Sequence, residues 1–549
     1  MKNKHSQIIT FLIFLFSTQV NAQLDSLQSK KIDSLFIDWN VPNYPGGAVA
    51  VMKDGKTVFS KAYGLASLEY LVPNSTGTIF NTGSVSKQFT AMGIVRLEEQ
   101  GKLAFDDDIH KYFPELPDFG ESITIRHLLH HTSGLRSLHA LFSLAGWRSD
   151  DSRTNEDLNR IILNQKDLNF KPGSEFLYCN TGYMLMVNII ENITKEKFKD
   201  WMKKNIFDEL EMDQTYVEDL YSRVVANNAT SYYGRNNFKR AVEYWGYVGS
   251  GNMHSTTSDL LKWLQNFNSA QVGWEAAFEK LQTVDLLNNG EINNYGFGVI
   301  VDSHLGKKRI QHGGSIGGFR AFAGTYPAEN LSIVVLTNFS GGNPGGKSNQ
   351  IAEILLEKRK AEESQEIANE IIRLSNEALS KFEGTYWNDK KKDSRKIYLK
   401  NDTLRFSISE NYEILIVPIK KNVFKMLNVS ANVVVNFKSK NQMTVDGLSL
   451  SVFDRVESEE VVDNELSQYV GKYYSTEVET TYIISVKGDQ LSIYHPRHGI
   501  MTVKWLFQDV LYCDWPIGGT IQIKRNNAKQ VSGILISNGR VRNAWFEKQ

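Results

Sequence analysis

The chain has 549 residues, and its 62 basic and 62 acidic side chains cancel. The two signs are interspersed, which excludes a steering field for nucleic acid or an anionic membrane. At 41% hydrophobic and 11% aromatic it is not a disordered chain. Single cores stop growing near roughly 250–300 residues, so more than one domain is expected.

The first element in chain order is "MKNKHSQIITFLIFLFSTQVNA", residues 1–22. Lys2 and Lys4 precede an apolar stretch over 8–16, and Val20 and Ala22 take the small positions before a cut. That is the layout of a secretory signal, with an apolar part too short to span a bilayer. The expectation is cleavage after Ala22 and an exported protein, periplasmic or extracellular, with no stable membrane span afterwards. No cysteine stands nearby to carry a lipid anchor.

"GGAVAVMKDGKTVFSKAYG" then reads as two strands about a Lys53-Asp54-Gly55-Lys56 turn. From 83 to 100 the pattern turns helical, with Phe89, Met92, Val95 and Leu97 on one side and Gly101 as the stop. Helical segments and loops follow to about residue 285. "YGFGVIV", "KKRIQHGG", "FRAFAGTYP" and "LSIVVLTNF" read as an antiparallel meander. Hairpin, helical middle, meander and final helix suit an α+β domain over 23–358, one antiparallel sheet flanked by helices. A charged helix continues from there, with 359–378 as a linker helix. The remainder is strand-like and repeats itself: "LSKFEGTYWN" and "LSQYVGKYYS" begin 87 residues apart, as do "LKNDTLRFS" and "VKGDQLSIY". Two tandem all-β modules are expected, 379–460 and 461–549, as small barrels or sandwiches.

Three stretches carry candidate chemistry. Ser84 stands at a helix start with Lys87 three residues on, so hydroxyl and amine share a face. A serine needs a base to become a nucleophile, and a partly desolvated lysine can serve. Alone, the pair also reads as a capping serine beside a solvated lysine. Tyr178 and Asn180, two apart on an extended segment, offer a phenol and an amide to one side, or else a core ring and a helix cap. His312, Gly313, Gly314 and Ser315 lie within an expected strand, where glycines often mark close approach by a ligand or another backbone.

In this chain order the three stretches resemble the penicillin-recognising serine enzymes, in particular the class C β-lactamase-like hydrolases. That group includes D-aminopeptidases, esterases and low-activity penicillin-binding proteins. "ITIRHLLHHTSGL", "FKPGSEFLYCNTGY" and "GSGNMHSTTSDLLKW" fit as well, so the resemblance covers about residues 35–358. It implies a β-lactamase/transpeptidase-like fold with a helical subdomain beside the sheet. It also implies that Ser84 is acylated, Lys87 is its general base or the keeper of its proton, Tyr178 relays protons to the leaving group and activates the deacylating water, and Asn180 bonds the substrate amide. The N–H groups of Ser84 and Ser315 would form the oxyanion hole. The family's β-lactamases carry lysine-threonine-glycine where this chain has "HGG". A histidine can be neutral near pH 7, so the grip on a substrate carboxylate weakens and His312 titration is expected to shape activity. The expectation is an exported serine hydrolase of an ester, a D-amino-acid amide or a small peptide, peptidoglycan fragments among them, with weak or no β-lactamase activity. The alternative is a slow-acylating penicillin-binding or wall-associated binding protein. No cofactor and no metal are expected.

Other signals compete. His127 and His131 stand at i, i+4, a spacing that can hold zinc, but no third ligand is evident. Cys179 sits between two site residues yet should face away from them, and with Cys513 it reads as an unpaired, half-buried thiol. From Gly341 to Ser348 the chain matches a phosphate-gripping loop. Antiparallel surroundings argue that the match is accidental and that the loop joins the last strand to a closing helix.

Overall fold

The computed structural model describes residues 24–356, 371–409, 412–427, 429, 433–447, 450–457 and 463–549. The expected signal segment lies outside them, as does the expected linker helix through residue 370; residues 371–375 are not helical, and a short helix follows at Asn376–Ser380.

Six antiparallel strands form the central sheet: β1 (Gly47–Lys53), β2 (Lys56–Tyr63), β3 (Ile300–His304), β4 (Lys307–Ile316), β5 (Phe319–Tyr326) and β6 (Leu331–Thr337), in the order β3-β4-β5-β6-β1-β2. The β1–β2 turn sets Asp54 at φ 50° and Gly55 at φ 73°, the doubly left-handed geometry whose twist matches a hairpin. The expected meander runs β3 to β6 and closes on the hairpin, with Val334 opposite Ala50.

Helices α1 (Ser26–Ser34), α2 (Lys87–Glu99), α3 (Ile125–Leu129), α4 (Asn180–Thr194), α5 (Thr257–Gln265) and α6 (Pro344–Leu355) build the rest of this domain with shorter segments. Both sheet faces are covered. Val49 and Val51 join a core with Ile32 of α1 and Ile351 of α6, whereas Ala48, Ala50 and Met52 join one with Leu260 and Leu264 of α5. Two covered faces explain why β1 and β6 read as continuous apolar runs rather than alternating ones.

Helix α2 departs from the one-sided expectation. Residues 87–95 and Leu97 are all buried, because α2 lies inside the helical subdomain, against α4 and the helix Glu275–Leu281. Some of its polar groups are matched there: Gln88 Oε1 accepts from Trp263 Nε1 at 2.8 Å, and Thr90 Oγ1 donates to Gly249 O at 2.8 Å.

The two β modules are closed eight-stranded barrels, spanning 384–456 and 471–548. The repeat survives in side-chain detail. Tyr386 and Tyr473, 87 residues apart, are both fully buried, and each hydroxyl donates to the carbonyl four residues back, Phe382 O at 3.0 Å and Tyr469 O at 2.6 Å. The copies differ in what they join. The first barrel keeps its own core of Tyr386, Phe406, Phe424 and Phe437, while the core of the second is continuous with that of the helical subdomain. Across this joint Arg136 pairs with Glu477, both almost fully buried, and Arg136 Nη2 donates to Arg542 O at 2.8 Å. The Arg542 guanidinium in turn pairs with Glu175 at 3.1 Å, and the Tyr482 hydroxyl donates to Leu144 O at 2.9 Å.

Removing one member of a buried pair strands the other charge and costs about 3–5 kcal/mol. Glu477→Ala should therefore lower the denaturation midpoint of the full chain markedly, and an unshifted midpoint would show that the joint does not depend on this pair.

Candidate active site

The site begins at a backbone-to-backbone contact. After Thr82 the chain enters a single 3-10 turn, Gly83–Ser86, before α2 starts at Lys87. Gly83 takes φ 53°, and a Cβ there would stand 2.6 Å from Ser315 N; a Cβ on Gly314 would stand 1.9 Å from Thr82 O. These two glycines let β4 lie directly on the serine turn. Gly313 differs, since its Cβ would meet Ala321 O at an ordinary 3.8 Å. The contact brings Ser84 beside Ser315 at the end of β4.

Lys87 is fully buried. Its Nζ donates to Ser84 Oγ at 3.2 Å and to Ser250 O at 2.7 Å, and lies 4.8 Å from the centre of the Tyr178 ring. Among the described residues no carboxylate pairs with it. Burial first, then the Arg540 charge, holds its pKa well below the ordinary lysine value. The amine is therefore neutral far more readily than a solvated lysine, as a base for Ser84 must be.

Tyr178 precedes α4. Burial raises its pKa to about 12, against the lowering influence of the Ser84 hydroxyl, the Arg540 charge and the Tyr295 hydroxyl. The buried phenol oxygen has no partner of regular hydrogen-bond geometry among the described residues. Its ring lies 4.3 Å from that of His131 and 4.9 Å from Arg540 Cζ. Asn180 is the first residue of α4 rather than its cap, and its Oδ1 is likewise buried without a partner. Cys179 between them turns its Sγ to Leu135 O at 3.3 Å. Both cysteines are unpaired, and both are fully rather than half buried.

His312 is buried on β4. Its Nδ1 donates to Gly313 O at 2.6 Å, leaving Nε2 to accept from the Tyr295 hydroxyl at 2.9 Å, which fixes one neutral tautomer. Burial, and after it Lys87, pushes its pKa down to about 3. The expectation that His312 titrates in the working range is corrected accordingly: the ring stays neutral there.

The zinc-like spacing dissolves in the fold. His127 completes the capping box of α3 behind the N-cap Thr124, its Nδ1 accepting from Thr124 N at 3.2 Å, whereas α3 ends at Leu129 and His131 takes φ 59°. His131 Nδ1 accepts from Cys179 N at 3.1 Å, so this ring positions the segment that carries Tyr178. In the loop over 341–348, Lys347 Nζ reaches back to Asp38 at 2.9 Å, over the rings of Phe36 and Trp39. It fastens α6 to the N-terminal segment, and α6 itself starts at Pro344 behind Asn343, which accepts from Gly346 N.

Four contributors escaped the sequence reading: Ser250 through its carbonyl, His131 as a positioning ring, Tyr295 as the donor to His312, and Arg540 from the second barrel. Ser250 and His131 lay inside quoted motifs. Tyr295 is the tyrosine of "YGFGVIV", read there as strand. Nothing local marks Arg540.

Residues 39–358 match the family model described as Beta-lactamase. A penicillin-binding protein of Bacillus subtilis (strain 168) is 30% identical over 325 residues, covering 56% of this chain and 71% of that protein. A D-aminopeptidase of Gluconobacter oxydans (strain 621H) is 26% identical over 296 residues, covering 54% of this chain and 56% of the relative, so the chain spans little more than half of that protein's length. Among solved structures, the octameric penicillin-binding protein homologue from Pyrococcus abyssi superposes with a TM-score of 0.56 at 26% identity, over 77% of this chain and 99% of its own.

Two expectations follow. Gly314→Ala should lower kcat/KM by about 10²-fold or more through displacement of the serine turn, while Gly313→Ala keeps most activity; equal losses would remove the close-approach argument. In His312→Gln the shape of the pH–rate profile between about pH 5 and 9 should stay as it was, and a vanished inflection would mean that this ring does titrate there.

Proposed function

The chain belongs to the beta-lactamase family, and as a serine hydrolase of that family we propose that it cleaves an ester, a D-amino-acid amide or a small peptide through an acyl-enzyme on Ser84. The observation that carries this reading is the fully buried Lys87, with no carboxylate partner among the described residues, 3.2 Å from the serine oxygen. Neutral Lys87 takes the Ser84 proton as Oγ attacks the substrate carbonyl. The N–H groups of Ser84 and Ser315 hold the developing oxyanion, and the close approach of β4 to the turn sets their spacing. Tyr178 then hands a proton to the departing nitrogen or oxygen, and Asn180 bonds the substrate amide. Water releases the acyl group in the second half-reaction.

The relatives named D-aminopeptidase and penicillin-binding protein support an amide or peptide substrate. Weak β-lactam hydrolysis is part of the proposal, because neutral His312 stands where the family's β-lactamases place a lysine. Export is proposed from the layout of residues 1–22. Burial raises the Tyr178 pKa to about 12, so little phenolate is present to activate water in the second half-reaction, which fits the alternative of a penicillin-binding protein with little turnover.

A panel of β-lactam, short-chain ester, D-amino-acid anilide and D-Ala-D-Ala substrates, run beside Ser84→Ala, tests the reading. Turnover should fall by about 10³-fold or more in the variant, and intact-mass analysis should place an adduct on Ser84. Undiminished turnover, or an adduct on another side chain, would end the proposal. A burst without sustained release would select the low-turnover penicillin-binding alternative.

A further inference from the structure

Arg540 belongs to the second barrel, yet it enters the site described above. The loop that carries it is held by its main chain: Asn538 N donates to Val541 O at 2.9 Å, and Arg540 O accepts from Ser137 N and from Asn169 Nδ2, both at 3.1 Å. Among the described residues the guanidinium adds no hydrogen bond or ion pair to that docking, only its contact with the Tyr178 ring. Arg542, two residues on, is consumed by Glu175. Arg540 has no such partner among the described residues, remains exposed, and lies with Cζ 4.9 Å from the centre of the Tyr178 ring. Its charge is felt at Lys87, Tyr178 and His131.

An exposed guanidinium over the phenol that serves the leaving group, with no ionic partner among the described residues, is placed to recognise an anion there. We propose that Arg540 is the carboxylate-binding group of this site, and that the preferred substrates are peptides whose leaving residue carries a free C-terminal carboxylate. This rests on the serine-hydrolase reading. Planar, bidentate geometry suits guanidinium to carboxylate. A fixed cation beside the site also disfavours a free α-ammonium at the same place, since no acidic side chain pairs with it among the described residues. The second barrel thus restores the cation that His312, neutral on β4, does not supply. In the acylation step the scissile C–N bond breaks as the Ser84 Oγ–C bond forms. The serine's proton passes to the departing nitrogen, and the released amino acid keeps its carboxylate on Arg540 until it leaves.

The test compares N-acetyl-D-Ala-D-Ala with its C-terminal amide on the full chain and on Arg540→Ala, Arg540→Lys and Arg540→Glu. The carboxylate-to-amide ratio of kcat/KM should fall at least about tenfold in Arg540→Ala, survive in part in Arg540→Lys, and fall furthest in Arg540→Glu. A ratio unchanged by all three variants overturns the proposal, as does a preference for the amide in the parent protein. Calorimetric titration of the same two peptides into Ser84→Ala, with and without Arg540→Ala, separates the two readings. Carboxylate-selective binding lost with Arg540 upholds the subsite even where Ser84 fails to acylate, and non-selective binding refutes the subsite even where Ser84 acylates. Circular dichroism and a melting curve for each variant show that the barrel stays docked, as its main-chain contacts require.

Discussion

An ammonium buried without a carboxylate is strongly disfavoured, and burial accordingly lowers the proton affinity of Lys87. Its surroundings are consistent with a neutral amine: a carbonyl from Ser250 and a hydroxyl from Ser84 hold Nζ, and the faces of Tyr178 and Tyr183 exclude water. An aspartate or glutamate introduced here would restore the charge and remove the base. The burial of the first nine residues of α2, polar ones included, is what keeps the amine dry.

The second constraint is one of distance. Gly83 and Gly314 allow β4 to touch the serine turn where any Cβ would collide with main chain. The sheet thereby sets the separation between the nucleophile and the N–H of Ser315, and it does so through backbone, which relaxes little. His312 is held on the same strand in one tautomer by Gly313 O and Tyr295. Its contribution is shape and a fixed dipole rather than charge.

Much of this was legible in the sequence because the signals were local. The Asp54-Gly55 turn, the apolar run of β6, the Ser84–Lys87 spacing and the 87-residue repeat each lie within a few neighbours or recur at a fixed offset. The glycines of "HGG" announced a close approach, although Gly313 and Gly314 could not be told apart until the opposing Thr82 was in place. The rest depended on burial. Helix α2 looked one-sided because the neighbours covering its polar side come from distant segments. The histidine pair looked helical because nothing in "RHLLHH" says that α3 stops at Leu129. Arg540 was invisible, since its meaning lies in a ring hundreds of residues earlier in the chain.

The unequal fates of the two barrels bear on how the molecule is made. The family match ends at residue 358, but the apolar interior does not end there: it runs on into the strands of 471–548. Synthesis proceeds from the N-terminus and lets earlier parts fold first. The serine, lysine and tyrosine can thus be arranged while Arg136 and Glu175 still await the partners that will bury them. During that interval the nascent hydrolase displays a surface meant for the interior, which makes it a target for chaperones and proteases. A fragment cut at the family boundary would be frozen in the same unfinished condition.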